Sequence, residues 1–212
     1  MSDPITISIS NDVVARIVAI HEAASDSDHS SPVLSGVCLR SAATDTGHAL
    51  IVVATDGKLL LEERWTLDAG TLQDGEAILP ADGIHALALW LKALKAALGK
   101  RPSCTIDCTI ANRIAQFRVP GLMFGSCDVR LVEGSFPNYM HALNPTDKPS
   151  TPDRIGYNLA YFAAVAKAWR RPKIDSVAVE VKHYRGTVLR LLCLPIGCQS
   201  ALALIMPITL PD

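Results

Sequence analysis

The sequence predicts an α+β fold of three repeated β-α-β-hairpin units, with antiparallel sheets and the helices on one face. Three observations carry this reading. Short strand-like runs lead straight into helix-opening residues at Ser10-Asn11-Asp12, Pro80-Ala81-Asp82 and Asn158. Each helical stretch is followed by apolar runs of strand length, broken by turn residues. The cycle then restarts at Glu76 and again at Arg154, which is the mark of an internal repeat. A single unit of this kind leaves a sheet face and an edge uncovered, so units must associate within a chain or between chains.

In chain order, Thr6–Ser8 alternates as a short strand, and Ser10-Asn11-Asp12 offers capping chemistry for a helix over 13–22. At about 100° per residue, Val14, Ile17, Val18 and His21 share one side, with Ala15, Arg16, Ala19 and Glu22 towards the other. Residues 23–31, rich in Ser and Asp, read as an exposed loop. Strands follow over 33–40, 48–55 and 58–65, the last two joined by Asp56-Gly57, a favoured hairpin pair because both residues tolerate positive φ. In the second unit, strand 76–79 leads a helix over 83–99 with Ile84, Leu87, Leu91, Leu94 and Leu98 on one stripe. Strands at 104–110 and 113–119 turn at Ala111-Asn112, and a further strand spans 125–131. The third unit places a strand at 154–157, a helix at 159–171, and strands at 176–181, 187–194 and 201–208.

The stretch Phe136-Pro137-Asn138 closes the second unit, and the Pro-rich run at 144–153 reads as a linker. The expected organisation is a two-unit domain over 1–143, the linker, and a half-domain over 154–212. With 49% hydrophobic and 19% charged residues the chain is globular, and no apolar run reaches the ~20 residues of a membrane span. Met1-Ser2-Asp3-Pro4 lacks a basic segment followed by an apolar one, so a cytoplasmic location is expected. The six cysteines, at 38, 104, 108, 127, 193 and 198, form no Cys-x-x-Cys pair. They are expected to be reduced thiols, with no metal site. The six histidines are dispersed, and no Gly-rich phosphate loop, Gly-x-Ser-x-Gly or His-Glu-x-x-His pattern occurs, so neither catalysis nor a cofactor is expected. A net charge of −1 removes any global argument for nucleic-acid binding and leaves only local patches.

Four fragments, in order and with appropriate structure between them, carry a family resemblance. They are Ala54-Thr55-Asp56-Gly57-Lys58-Leu59-Leu60, then Ile78-Leu79-Pro80 ahead of a helix, then Leu131-Val132-Glu133-Gly134-Ser135-Phe136-Pro137-Asn138-Tyr139, and finally Leu204-Ile205-Met206-Pro207-Ile208-Thr209-Leu210. Together they resemble the bacterial sliding clamp, the DNA polymerase III beta subunit. Residues 5–143 resemble its middle domain and 154–210 the second half of its last domain, while the other parts of that clamp have no counterpart. The resemblance implies a DNA-clamp-like fold and a processivity factor that encircles double-stranded DNA without reading sequence. It implies a homo-oligomer, in which a ring of full size would take four copies of this shorter chain.

It further implies a pocket for a short apolar peptide from a DNA polymerase or another clamp-binding protein. Carried over position by position, that pocket draws on Leu34, Thr55, Gly57, Lys58, Leu59, Leu60, Pro137, His141, Asn158, Tyr161, Leu204, Ile205, Met206, Pro207 and Ile208. His141 and Thr209 stand where the family usually has arginine, so partner specificity does not transfer. Residues for DNA contact lie on and after the second and third helices: Lys92, Lys95, Lys100, Arg101, Lys167, Arg170, Arg171 and Lys173. The same cations also suit a solvated helix face near a C-terminus. A second expectation therefore stands beside the ring: a clamp-like interaction module that binds clamp partners, or a full-length clamp, without encircling DNA.

Overall fold

The structure is a computed structural model that describes residues 4–24, 31–45, 47–67, 72, 75–99, 103–123, 125–143, 156–170, 177–184, 188–195 and 201–207, with 177–184 and 188–195 described as backbone alone. The first unit consists of β1 (Ile5–Ser10), α1 (Asn11–Ile20), β2 (Val37–Thr44), β3 (Gly47–Thr55) and β4 (Leu59–Leu67). The second has β5 (Ala77–Leu79), α2 (Ala81–Leu98), β6 (Thr105–Ala111), β7 (Ile114–Arg118) and β8 (Cys127–Arg130). After the short helix α3 (Met140–Leu143), the third unit adds α4 (Leu159–Ala168), β9 (Val177–Tyr184), β10 (Val188–Pro195) and β11 (Ala201–Ile205).

Two antiparallel sheets result, one ordered β1-β6-β7-β8 and the other β5-β2-β3-β4-β11-β10-β9. The leading strand of each of the first two units crosses to the other: β1 pairs with β6, and β5 with β2. The third unit joins through β11, whose Ala201–Ile205 run beside Glu63–Leu59 of β4. The seven-stranded sheet thus takes strands from both sides of residues 144–153.

Among the described side chains, the part of the seven-stranded sheet from β5 to β11 is buried on both faces. Leu39, Val52, Ala54, Leu59, Leu61, Ala203 and Ile205 face a core shared with α1, α2 and α4. Cys38, Val53, Leu60, Ile78 and Leu204 face a second, smaller core closed by Phe136 and Tyr139. Two-sided burial explains why β3 reads as a continuous apolar run and not a clean alternation.

Local chemistry sets the ends of the helices. Ser10 Oγ accepts the Val13 N–H at 3.3 Å, and Asn158 Oδ1 accepts the Ala160 N–H at 2.9 Å. Pro80 opens α2 without a side-chain cap, and Gly99 at φ 62° ends it.

Several elements differ from the expectation. Residues 32–35 form turns and β2 begins only at Val37, so Leu34 stands on a turn and not on a strand. The helix expected over 159–171 stops at Ala168, the last strand stops at Ile205, and of the strand expected at 154–157 the described part is a single bridge at Gly156. The second hairpin turns at Asn112-Arg113, both at positive φ (50° and 63°), one residue later than Ala111-Asn112. On α1 the buried set is Asn11, Val13, Val14, Arg16, Ile17 and Ile20, which overturns the outward placement of Arg16. Its guanidinium is buried against Glu63, a partner that helical periodicity alone does not show.

Candidate partner-binding groove and basic helix faces

A groove of about 350 Å³ opens where β4 meets β11, lined by Leu34, Thr55, Gly57, Lys58, Leu59, Leu60, Pro137, Tyr139, Ala142, Leu204 and Met206. Its rim is the β3–β4 hairpin, held by its own side chains. Asp56 Oδ1 accepts the N–H groups of Lys58 at 2.7 Å and Leu59 at 2.6 Å. Thr55 Oγ1 accepts the Gly57 N–H at 3.0 Å while its hydroxyl donates to the Leu59 carbonyl at 2.7 Å. Only Gly57 takes positive φ, at 88°. Asp56 therefore serves the turn as an acceptor for two N–H groups and not, as its pairing with Gly suggested, through a left-handed backbone.

The far wall is Pro137–Ala142, pinned to the sheet by a polar network centred on the buried Glu62 and Tyr139. Tyr139 donates its hydroxyl to Glu62 Oε2 at 2.5 Å and accepts from Arg40 Nη2 at 2.5 Å, while the Arg40 guanidinium lies 5.0 Å from the ring centre. Glu62 takes a second bond from Arg64 Nε at 2.7 Å, and Glu76 Oε2 receives the Phe136 N–H at 2.7 Å. Burial, reinforced by the Glu62 charge and hydrogen bond, raises the Tyr139 phenol well above its ordinary value in spite of Arg40. It stays a protonated donor.

Of the residues expected at the pocket, Leu34, Thr55, Gly57, Lys58, Leu59, Leu60, Pro137, Leu204 and Met206 converge here. The others are placed differently. His141 is exposed on α3, and Ile205 is fully buried on the opposite face of β11. Pro207 is half-buried beyond the strand end. Asn158 caps α4, and Ile208 lies outside the described residues. Tyr161 does not line the groove but sits by the hairpin tip, its phenol raised by burial and then by the charge and hydrogen bond of Asp56. Tyr139 and Ala142 line the groove without having been expected there. The sequence signal for the wall was an aromatic residue after Phe-Pro-Asn, together with Glu62 set inside an apolar strand.

The basic residues are only partly gathered. Lys92 and Lys95 are exposed on α2, beside a shallow depression floored by Ala15, Val18, Ala88 and Leu91. Lys167 is exposed on α4, yet its ammonium pairs with Glu22 at 2.8 Å, so its charge is partly offset. Arg170 is exposed just past α4, and Lys100, Arg101, Arg171 and Lys173 lie outside the described residues. Among the described residues no cluster of His, Cys, Asp or Glu could hold a metal ion, and no helix is long and apolar enough to cross a membrane.

Comparison with protein-family models gives no match, and neither does comparison with curated proteins. Comparison with solved structures gives many. The chain is similar to the Caulobacter crescentus pol III beta structure at a TM-score of 0.74 and 16% identity, covering 99% of this chain and 68% of that one. It is similar to a sliding clamp from Bartonella birtlesii bound to griselimycin at a TM-score of 0.75 and 13% identity, covering 97% and 66%. A sliding clamp from Bacillus subtilis gives 0.68 and 15%, covering 97% and 64%. The chain thus has the fold of the bacterial sliding clamps. It spans about two thirds of their length.

Proposed function

We propose that this chain is a shortened, non-catalytic clamp-like processivity factor whose groove docks a short apolar peptide of a DNA polymerase or another clamp client. Binding by such a peptide raises the client's effective concentration at the primer end without any bond chemistry. The observation that carries the reading is the groove itself: apolar walls from β4, β11 and α3, with a hairpin rim fixed by Asp56 and Thr55. That is the form that takes an extended peptide. In this reading 1–143 acts as a clamp-like domain and 154–212 as a half-domain, copies of the chain assemble into a ring of four around duplex DNA in the cytoplasm, and exposed cations on α2 and α4 meet phosphate.

A second reading is a module that does not encircle DNA, and it is favoured by length: the chain spans about two thirds of the clamps it is similar to. Both readings share the groove, so the groove is the first thing to test. A clamp-binding peptide from the polymerase of the same host, titrated by calorimetry, should bind at about micromolar strength or weaker, because His141 departs from the family. Leu204→Glu should weaken it at least about tenfold. Absence of binding, or binding indifferent to Leu204→Glu, would sink the groove assignment.

A further inference from the structure

Among the described strands four end the two sheets, β1 and β8 in one and β5 and β9 in the other, and of the three units' last strands β8 is the one among them. β11, the last strand of the third unit, is capped by β4. β8 is the corresponding last strand of the second unit, and it ends its sheet. A second copy cannot offer β4 to it without giving up its own β11.

The outward groups on β8 can be identified. The Leu131 N–H donates to the Arg113 carbonyl at 2.8 Å, and in this antiparallel register Val129 and Cys127 likewise turn their backbone groups towards β7. Asp128 and Arg130 therefore point their N–H and C=O groups away from the sheet. Their side chains are exposed, while Cys127 and Val129 are buried at 7% and 2%.

We propose that β8 is a self-association edge, pairing antiparallel with β8 of a second copy about a two-fold axis at Val129. In that register Asp128 stands opposite Arg130 of the second copy, and Arg130 opposite its Asp128. Each such pair exchanges two backbone hydrogen bonds between groups that already point outward, and places opposite charges side by side on one sheet face. An edge guarded against association carries charges that repel in this alignment. Here a valine flanked by one acid and one base is complementary to itself. Asp128 Oδ1 already accepts Gln116 Nε2 at 3.0 Å, which holds the carboxylate along the sheet.

The flank of α2 agrees with this edge. Trp90 Nε1 donates to the Gly125 carbonyl at 2.7 Å, so that side of α2 lies over the approach to β8. Ala86, Ala93 and Ala97 share the side with Trp90 and are exposed, leaving room for the second copy's helix to approach closely. The pairing holds whether or not DNA is encircled, and its failure leaves the groove untouched.

Sedimentation of the full chain tests it. The wild type should form a dimer or a larger even assembly. Asp128→Arg, which sets arginine against arginine, and Arg130→Asp, which sets aspartate against aspartate, should each reduce it by one self-contact, halving the mass. Equimolar mixing of the two variants should restore the wild-type mass, because each then meets opposite charges, and so should the doubly swapped chain. A monomeric wild type, unchanged mass in both single variants, or no recovery on mixing would overturn the proposal.

Discussion

Glu62 and Glu63 follow one another on β4, face opposite sides of the sheet, and are each 1% exposed. Each is held by arginine. Glu63 receives Arg16 Nε at 3.1 Å and Nη2 at 2.5 Å, tying α1 to the sheet, while Glu62 joins Arg64 to Tyr139 and so to the groove wall. Neither role was legible in the sequence, because partners 47 and 77 residues apart leave no periodic trace. A buried pair is costly to break but not to replace. Arg16→Met alone should therefore destabilise the chain by about 3–5 kcal/mol in urea titration, and Arg16→Met with Glu63→Leu by much less. Equal losses in both variants would show that Arg16 acts through packing alone. The thiols make a separate prediction. Burial pushes both Cys38 and Cys108 from 9.0 up to about 12, with Glu76 adding to the rise at Cys38 against Arg40. The unfolded chain loses these protons first, so the thiols' contribution to stability is constant below pH 9.0 and falls as the pH rises from 9.0 towards about 12. Cys108→Ala should flatten that fall in denaturation measured across the range.

At the scale of elements, periodicity located the three principal helices and most strands, since amphipathic stripes and turn residues are local signals. What it misplaced were ends, where local turn bonds and burial decide. β2 starts late because residues 32–35 turn, with the Leu34 N–H on the Ser31 carbonyl at 3.0 Å. α4 stops at Ala168, with Trp169 buried behind it. The hairpin at Asp56-Gly57 was legible as a turn but not as the groove's rim, which depends on β11 arriving beside it. Because Gly57 sits at φ 88°, Gly57→Ala should cost about 1–2 kcal/mol and also weaken peptide binding. Lys58→Ala should leave stability nearly unchanged, its side chain being exposed. If Gly57→Ala lowers stability while peptide affinity stays at the wild-type value, the rim does not shape the groove.

For the whole molecule, the repeat was readable but the joining of the third unit to the first was not. β4 and β11 are apolar strands with no sequence mark of being neighbours, and the pairing spans most of the chain. Joining them puts α4 against α1, so that Lys167 meets Glu22, and leaves Lys92 and Lys95 as the better-placed free cations on α2. This ranks the basic residues in a way that a count of charges does not. If a closed assembly surrounds DNA, Lys92→Glu with Lys95→Glu should abolish retention on nicked circular duplex, because two contacts to phosphate become repulsions. Lys167→Glu should weaken retention less, since that charge is already shared with Glu22. Peptide affinity should stay at the wild-type value in both variants, the groove lying elsewhere on the fold. Encirclement also requires that cutting the circle release the protein over its ends, whereas a protein held on the outer surface binds linear and circular DNA alike. Equal retention on both forms would leave the groove as the functional surface and the non-encircling module as the reading that stands.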